Sequence, residues 1–272
     1  MSNLQGGEST YLSDFLADLK GLDGRFGPLE SRTDGTLVSN DSGYPVIASD
    51  VIANLPNKRS GLGIFIGGGG AFSALPELPI EAVAFIDKNP FVGELNLVLA
   101  ESILDSSTPQ ETLEIIKTRY RIGQHAVLRA LQELHDDIDT LLFSEFRVEA
   151  SDYGPYHWSD PDRFPQVKKA LMDTPVITVG ADITNPDFAP ALRNVLTSHN
   201  QRITYANFTN VHAWIGAASM KFVQDLPFHQ DAAILYSSHK GAMLGEWPKI
   251  SFATSVSEYL ADIQEQATGT AP

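Results

Sequence analysis

Cysteine is absent from all 272 residues. Disulfides, thiolate metal sites and a cysteine nucleophile are thereby excluded. Cations are scarce, with 19 Lys and Arg against 34 Asp and Glu and a formal net charge of −15. The longest basic clusters are the pairs Lys58-Arg59 and Lys168-Lys169. They are too short to gather a positive face that would offset the repulsion of a phosphate backbone, so nucleic acid is not an expected partner. No apolar stretch reaches the roughly 18 residues of a membrane span. The polar start, residues 1–10, lacks the basic-then-apolar pattern of a signal peptide. A cytoplasmic protein without a membrane partner is the expectation.

Metal-ligand spacing is missing too. His125 and His135 lie ten residues apart (135 − 125), which does not put two ligands on one helix face, so no metal is expected. Ser237-Ser238-His239-Lys240 has no glycine-flanked nucleophile turn.

What is present is patterned. A chain with 43% hydrophobic and 19% charged residues can bury a full core, and its length suits one large domain or one domain with an insertion. From Leu62 onward, apolar runs of strand length alternate with longer amphipathic stretches, the signature of βαβ units and a parallel sheet. Strands are predicted at 62–66, 82–87, 176–180, 203–207, 232–236 and 249–254. Helices are predicted at 91–102, 188–198 and 213–225, with another at 11–22 ahead of the first strand, where Leu12, Phe15, Leu16 and Leu19 recur at spacings of three and four. Between that helix and the first strand, residues 24–44 are rich in turn formers, and Asn40-Asp41-Ser42-Gly43-Tyr44 reads as a surface turn.

About 88 residues separate Asp87 from Val176, far more than one crossover helix needs. Residues 109–143 carry apolar side chains largely at helical spacing, so one or two inserted helices are predicted. An aromatic loop follows, Tyr153-Gly154-Pro155-Tyr156-His157-Trp158-Ser159-Asp160-Pro161, of a kind that serves as a lid or substrate wall when it borders a pocket. The chain divides into an N-terminal cover, 1–60, and an α/β domain, 61–272, with its insertion at about 103–174. The expected fold is a Rossmann-like, mostly parallel sheet with helices on both faces.

The chemistry-bearing segments lie where such a sheet binds ligands. The first strand ends in Gly67-Gly68-Gly69-Gly70, a turn with no Cβ to keep a ligand from the backbone, leading into a helix start at Ala71. The second strand ends in Asp87, 20 positions beyond Gly67 (87 − 67). That spacing lets a carboxylate reach the two hydroxyls of a ribose; Asp87-Lys88-Asn89-Pro90 also contains good capping residues.

These segments resemble the class I S-adenosylmethionine-dependent methyltransferase superfamily over Leu62–Asp87 and again from Val176 to the end of the sheet. The resemblance implies that Gly67, Gly68 and Gly69 face the methionine part of S-adenosylmethionine and that Asp87 holds its ribose. It also implies that Val179-Gly180-Ala181-Asp182-Ile183 borders the adenine, with the Asp182 carboxylate near the amino group. A dinucleotide fold is the rival, but its third glycine, three positions after Gly69, is here Phe72.

In the same superfamily, chemistry sits at the end of the fourth strand. Enzymes that methylate nucleobase or glutamine amino groups often carry Asp or Asn, two prolines and an aromatic residue there. Asn207-Phe208-Thr209-Asn210 keeps only the first. Tyr205, Asn207, Asn210 and His212 are the groups able to orient a small polar substrate, and His212 is the candidate base by residue type. Tyr205, Tyr153, Tyr156 and Trp158 offer rings that could hold a sulfonium cation; each can equally be packing. Methyl transfer to a small molecule by direct displacement is the leading expectation. Two alternatives stay open. One is transfer of the aminocarboxypropyl arm with release of methylthioadenosine, as in enzymes resembling nicotianamine synthase or those forming azetidine-2-carboxylate. The other is a non-catalytic nucleotide-binding protein.

Overall fold

The apolar runs at the first two predicted strands are buried along almost their whole length, as expected for central strands covered on both faces. In the computed structural model, which describes residues 5–29, 55, 60–67, 71–134, 157–209, 218–238 and 249–268, they pair in parallel at the middle of one sheet. Along the chain come α1 (Gln5–Lys20), β1 (Leu62–Ile66), a short α2 (Ala71–Ala74) continued by a 3₁₀ turn (Leu75–Glu77), and β2 (Ala82–Asp87). After β2 comes α3 (Pro90–Asp105), and the insertion then contributes α4 (Pro109–Arg121), α5 (Ala126–Leu134) and α6 (Phe164–Asp173). The chain then runs through β3 (Val176–Gly180), α7 (Phe188–Ser198), β4 (Ile203–Phe208), α8 (Ala218–Gln224), β5 (Phe228–Ser238), β6 (Lys249–Ala253) and α9 (Val256–Thr268).

Among the described residues the sheet has six strands in the order β3-β2-β1-β4-β5-β6. All neighbours are parallel except β5 and β6, which are antiparallel. The order reverses at β1, flanked by β2 on one side and β4 on the other. In open α/β sheets that reversal opens a crevice beyond the carboxyl ends of the strands.

Alternation along the strands sends side chains to two cores. Leu62, Ile64, Ala82, Ala84 and Ile86 pack with Phe15 and Leu19 of α1, Phe188 and Leu192 of α7, Phe222 of α8 and Tyr259 of α9. Phe65, Val83 and Phe85 pack on the other face with Phe72 of α2, Ile103 of α3 and Val167 of α6. The helices α4 and α5 pack on α3 through Ile116, Tyr120, Val127 and Leu131, and Leu113 of α4 also packs against the second core. The Rossmann-like sheet, the N-terminal helix and the helical insertion are thus all present.

The differences from the predicted elements have local causes. β5 begins four residues earlier than expected (232 − 228), because its polar His229-Gln230-Asp231 stretch hides the strand from a hydrophobicity reading. The polar stretch accompanies a register shift: Ile203 pairs with Phe228, but Tyr205 already pairs with Ala233. The helices α6 and α9 were not predicted. The turn at 40–44 lies outside the described residues.

One backbone position, at the amino end of β1 and opposite the crevice, is constrained twice. Gly61 has φ +70°, and a Cβ there would lie 2.4 Å from the Arg202 carbonyl oxygen and 2.5 Å from Thr204 Oγ1. Its own carbonyl accepts from the Glu81 N–H at 2.8 Å, and Leu62 N–H donates to Arg202 at 2.9 Å, so β1 enters between β2 and β4 with no room to shift. Gly61→Ala combines left-handed strain with overpacking and should cost about 2–4 kcal/mol. A urea midpoint unchanged from the wild type would contradict this.

Candidate functional site

The sheet register brings the two predicted determinants of the pocket side by side. Ile66 pairs with Ile86, Gly67 N–H donates to the Ile86 carbonyl at 3.3 Å, and the Asp87 side chain rises beside Gly67. Gly67 has φ +89°, and a Cβ there would stand 3.7 Å from Asp87 Oδ2. A side chain at residue 67 would thus stand in contact with the carboxylate, and glycine leaves that position without one.

Asp87 is half-buried, and its Oδ1 accepts the Asn89 N–H at 2.7 Å. Among the described residues Oδ2 carries no hydrogen bond. Desolvation raises the carboxyl pKa above its ordinary value; the Asn89 N–H and the Lys88 charge offset part of the rise. Asn89 also caps α3, accepting from Phe91 N–H at 3.2 Å with Pro90 in the first turn. The two expected roles are divided: Asn89 caps the helix, and Asp87 keeps one oxygen toward the crevice.

The third strand adds a second carboxylate. Asp87 pairs with Gly180, and Ala181 N–H donates to the Asp87 carbonyl at 2.9 Å. Asp182 follows, its Oδ1 accepting from Thr184 N–H and Oγ1 at 2.9 and 2.7 Å, with Oδ2 outside that turn. Ile183 is nearly buried and joins the core beneath.

The chain after α1 forms a border that sequence reasoning did not resolve beyond a general cover. Asp23 Oδ1 accepts Gly180 N–H at 2.6 Å, Phe26 bridges to Ala181, and Asp182 N–H donates to the Phe26 carbonyl at 2.8 Å. Contacts 157 residues apart leave no periodic trace in the sequence.

At the fourth strand, Asn207 sits level with Phe65 and Leu235. Its Oδ1 accepts from Thr209 N–H at 2.9 Å and Thr209 Oγ1 at 2.6 Å. That engagement orients the amide and leaves its NH₂ as the group outside the turn. Tyr205 and Trp158 are 1% and 2% exposed; Tyr205 packs on Phe65 with ring centroids 5.3 Å apart, and Trp158 lies in the core around α6. Their faces are taken up by packing. Gly68, Gly69, Tyr153, Tyr156, Asn210 and His212 lie outside the described residues.

Two further findings bear on what the crevice can hold. Phe72 is 3% exposed and packs against Phe85 at 5.6 Å, so a bulky ring fills the place where a dinucleotide fold uses glycine for close helix-strand packing. Among the described residues, no group of three or more His, Asp or Glu side chains is placed to hold a metal ion, and no helix is long and apolar enough to cross a membrane.

No protein-family model matches the sequence, and neither does any curated protein. Among solved structures the chain is similar to two of the rRNA methyltransferase AviRa from Streptomyces viridochromogenes. In the first, identity is 14% with a TM-score of 0.39, over 85% of this chain and 92% of that one. In the second, identity is 13% with the same TM-score of 0.39, over 84% and 92%. Strand order and direction define the fold.

Two outcomes follow from the geometry at the crevice. Gly67→Ala forces a side chain into a left-handed position beside Asp87 and should lower stability by about 1–2 kcal/mol, read from the urea midpoint; a neutral effect would contradict the backbone described. Because the folded-state pKa of Asp87 is raised, its stabilising contribution is present below the unfolded value and is lost as pH rises through the folded one. Asp87→Asn should therefore melt higher than the wild type at pH near 7, with the gap closing as the pH approaches about 4. A wild type that melts higher at neutral pH would refute the buried, charged carboxylate.

Proposed function

We propose that this protein is an S-adenosylmethionine-dependent transferase acting on a small molecule, most simply by direct methyl transfer. The observation that carries the reading is the meeting of Gly67 and Asp87 at the ends of adjacent parallel strands, with Oδ2 of Asp87 facing the space that a Cβ would enter. That cradle fits a ribose: Asp87 accepts from its hydroxyls, and the backbone at Gly67 can approach the methionine part closely. Asp182, one strand further along, offers its second oxygen to the adenine amino group. The ring of Phe72 supports this nucleoside over a dinucleotide.

Bound S-adenosylmethionine supplies an activated methyl group on a sulfonium. The protein's own work is alignment, since an in-line approach provides much of the acceleration. Asn207 is the proposed orienting group at the fourth strand. Its carbonyl is engaged by Thr209, so its NH₂ donates toward an acceptor atom on the substrate, which supports the reading that a target amino group is not held there. His212 is proposed as the base for a nucleophile that arrives protonated, with Asn210 beside it in sequence. The net charge of −15 supports a small acceptor over a nucleic acid.

Calorimetric titration with S-adenosylmethionine tests the pocket. The wild type should bind, and Asp87→Ala should weaken binding at least about tenfold, the usual order for losing hydrogen bonds to a charged group. Failure of the wild type to bind, or equal binding by both, would sink the assignment. Mass spectrometry of the released nucleoside then reads the reaction: S-adenosylhomocysteine for methyl transfer, methylthioadenosine for aminocarboxypropyl transfer, and neither for a binding protein.

A further inference from the structure

The chain returning from the insertion is fastened to the segment that closes the glycine run. Ser73, in the middle of α2, is 2% exposed. Its Oγ accepts the Trp158 N–H at 3.0 Å, and its carbonyl accepts Arg163 Nη2 at 2.6 Å. The same guanidinium forms a two-pronged ion pair with Glu77 of the following 3₁₀ turn. Arg163 Nη1 also reaches Gln166 Oε1 at 3.5 Å. The Arg163 side chain is 8% exposed and that of Glu77 33%, so one end of the pair is buried and the other meets solvent.

This arrangement is built for geometry more than for stability. A buried guanidinium is costly to desolvate, and well-packed apolar residues often stabilise a site as well or better. A planar fork, however, can hold a carboxylate and a backbone carbonyl at once. The helix α2 is only four residues long, too short to hold its own shape. It therefore depends on contacts with the rest of the fold: apolar ones made by its own Phe72 and the adjoining Leu75, and polar ones from Arg163 and Trp158.

We infer that Arg163 is a positioning residue of the nucleoside pocket. At its near end the glycine run is tied by Gly67 N–H to the Ile86 carbonyl; at its far end Arg163 and Glu77 hold α2 and the turn after it. The two ends of the glycine run are thereby fixed, Gly67 beside Asp87 by β2 and α2 by the insertion. The inference rests on the proposed S-adenosylmethionine pocket, and its test separates the two.

Three variants of the full chain serve: Arg163→Met, Arg163→Lys, and Arg163→Met combined with Glu77→Gln. In the ligand-free protein, Arg163→Met should speed hydrogen exchange in the peptide covering residues 66–78 at least about tenfold, leaving α7 and β4 at wild-type rates. Its affinity for S-adenosylmethionine should fall at least about tenfold, and Arg163→Lys, which keeps the charge but loses the fork, should lie between. The double variant leaves no unpaired charge and should regain melting temperature without regaining affinity, because the Ser73 carbonyl is still unheld.

Wild-type exchange in that peptide of Arg163→Met would overturn the clamp. Faster local exchange with unchanged affinity, or recovery of affinity by the double variant, would reduce Arg163 to a structural role. A wild type that does not bind S-adenosylmethionine would overturn the pocket and the positioning role with it, while the exchange rates alone would still decide whether Arg163 holds α2.

Discussion

A carboxylate placed at the end of a parallel strand, facing a neighbour that has no side chain, is the constraint on which the site depends. Asp87 is held half-buried by the register of β2 against β1 and β3, and burial alone makes its charge unfavourable there. Among the described residues a single backbone N–H, from Asn89, satisfies one oxygen. The other faces the opening left by Gly67. A fold that keeps a desolvated carboxylate in this state stores a preference for hydrogen-bond donors at that point, which a ribose satisfies and bulk packing does not.

The surrounding structure is organised to keep that opening. Gly61 fixes where β1 enters between its neighbours, and the strand then carries the chain to Gly67 without slack. On one side the chain after α1 closes the end of β3 through Asp23 and Phe26. On the other, the insertion returns through Trp158 and Arg163 to grip α2. Two segments outside the βαβ framework thus border the same rim, one from the N-terminus and one from between β2 and β3.

Much of the fold was legible in the sequence. The strands β1, β2 and β3 follow their apolar runs because they are covered on both faces, and α7 follows the spacing of Phe188, Leu192 and Leu196, all buried. The juxtaposition of Gly67 and Asp87 was legible for the same reason, since parallel strands bring their ends to one rim. Missed elements had weaker or misleading patterns. α6 begins Phe164-Pro165 and carries Lys168-Lys169 in its centre, burying only Phe164, Val167 and Leu171. α9 buries Tyr259 and Ile263, a spacing of four that a longer window would have caught. The rings of Tyr205 and Trp158 illustrate a different limit: residue type alone does not separate an aromatic wall from an aromatic core. The Arg163–Glu77 pair joins residues 86 positions apart and has no local signal at all.

The most direct measurement is a crystal structure of the protein with S-adenosylhomocysteine. The ribose hydroxyls should lie within hydrogen-bond distance of Asp87 Oδ2, with the amino-acid part over Gly67 and the adenine beside Asp182. A nucleoside bound elsewhere, or bound with Asp87 turned away from the ribose, would contradict the pocket on which the proposed function stands.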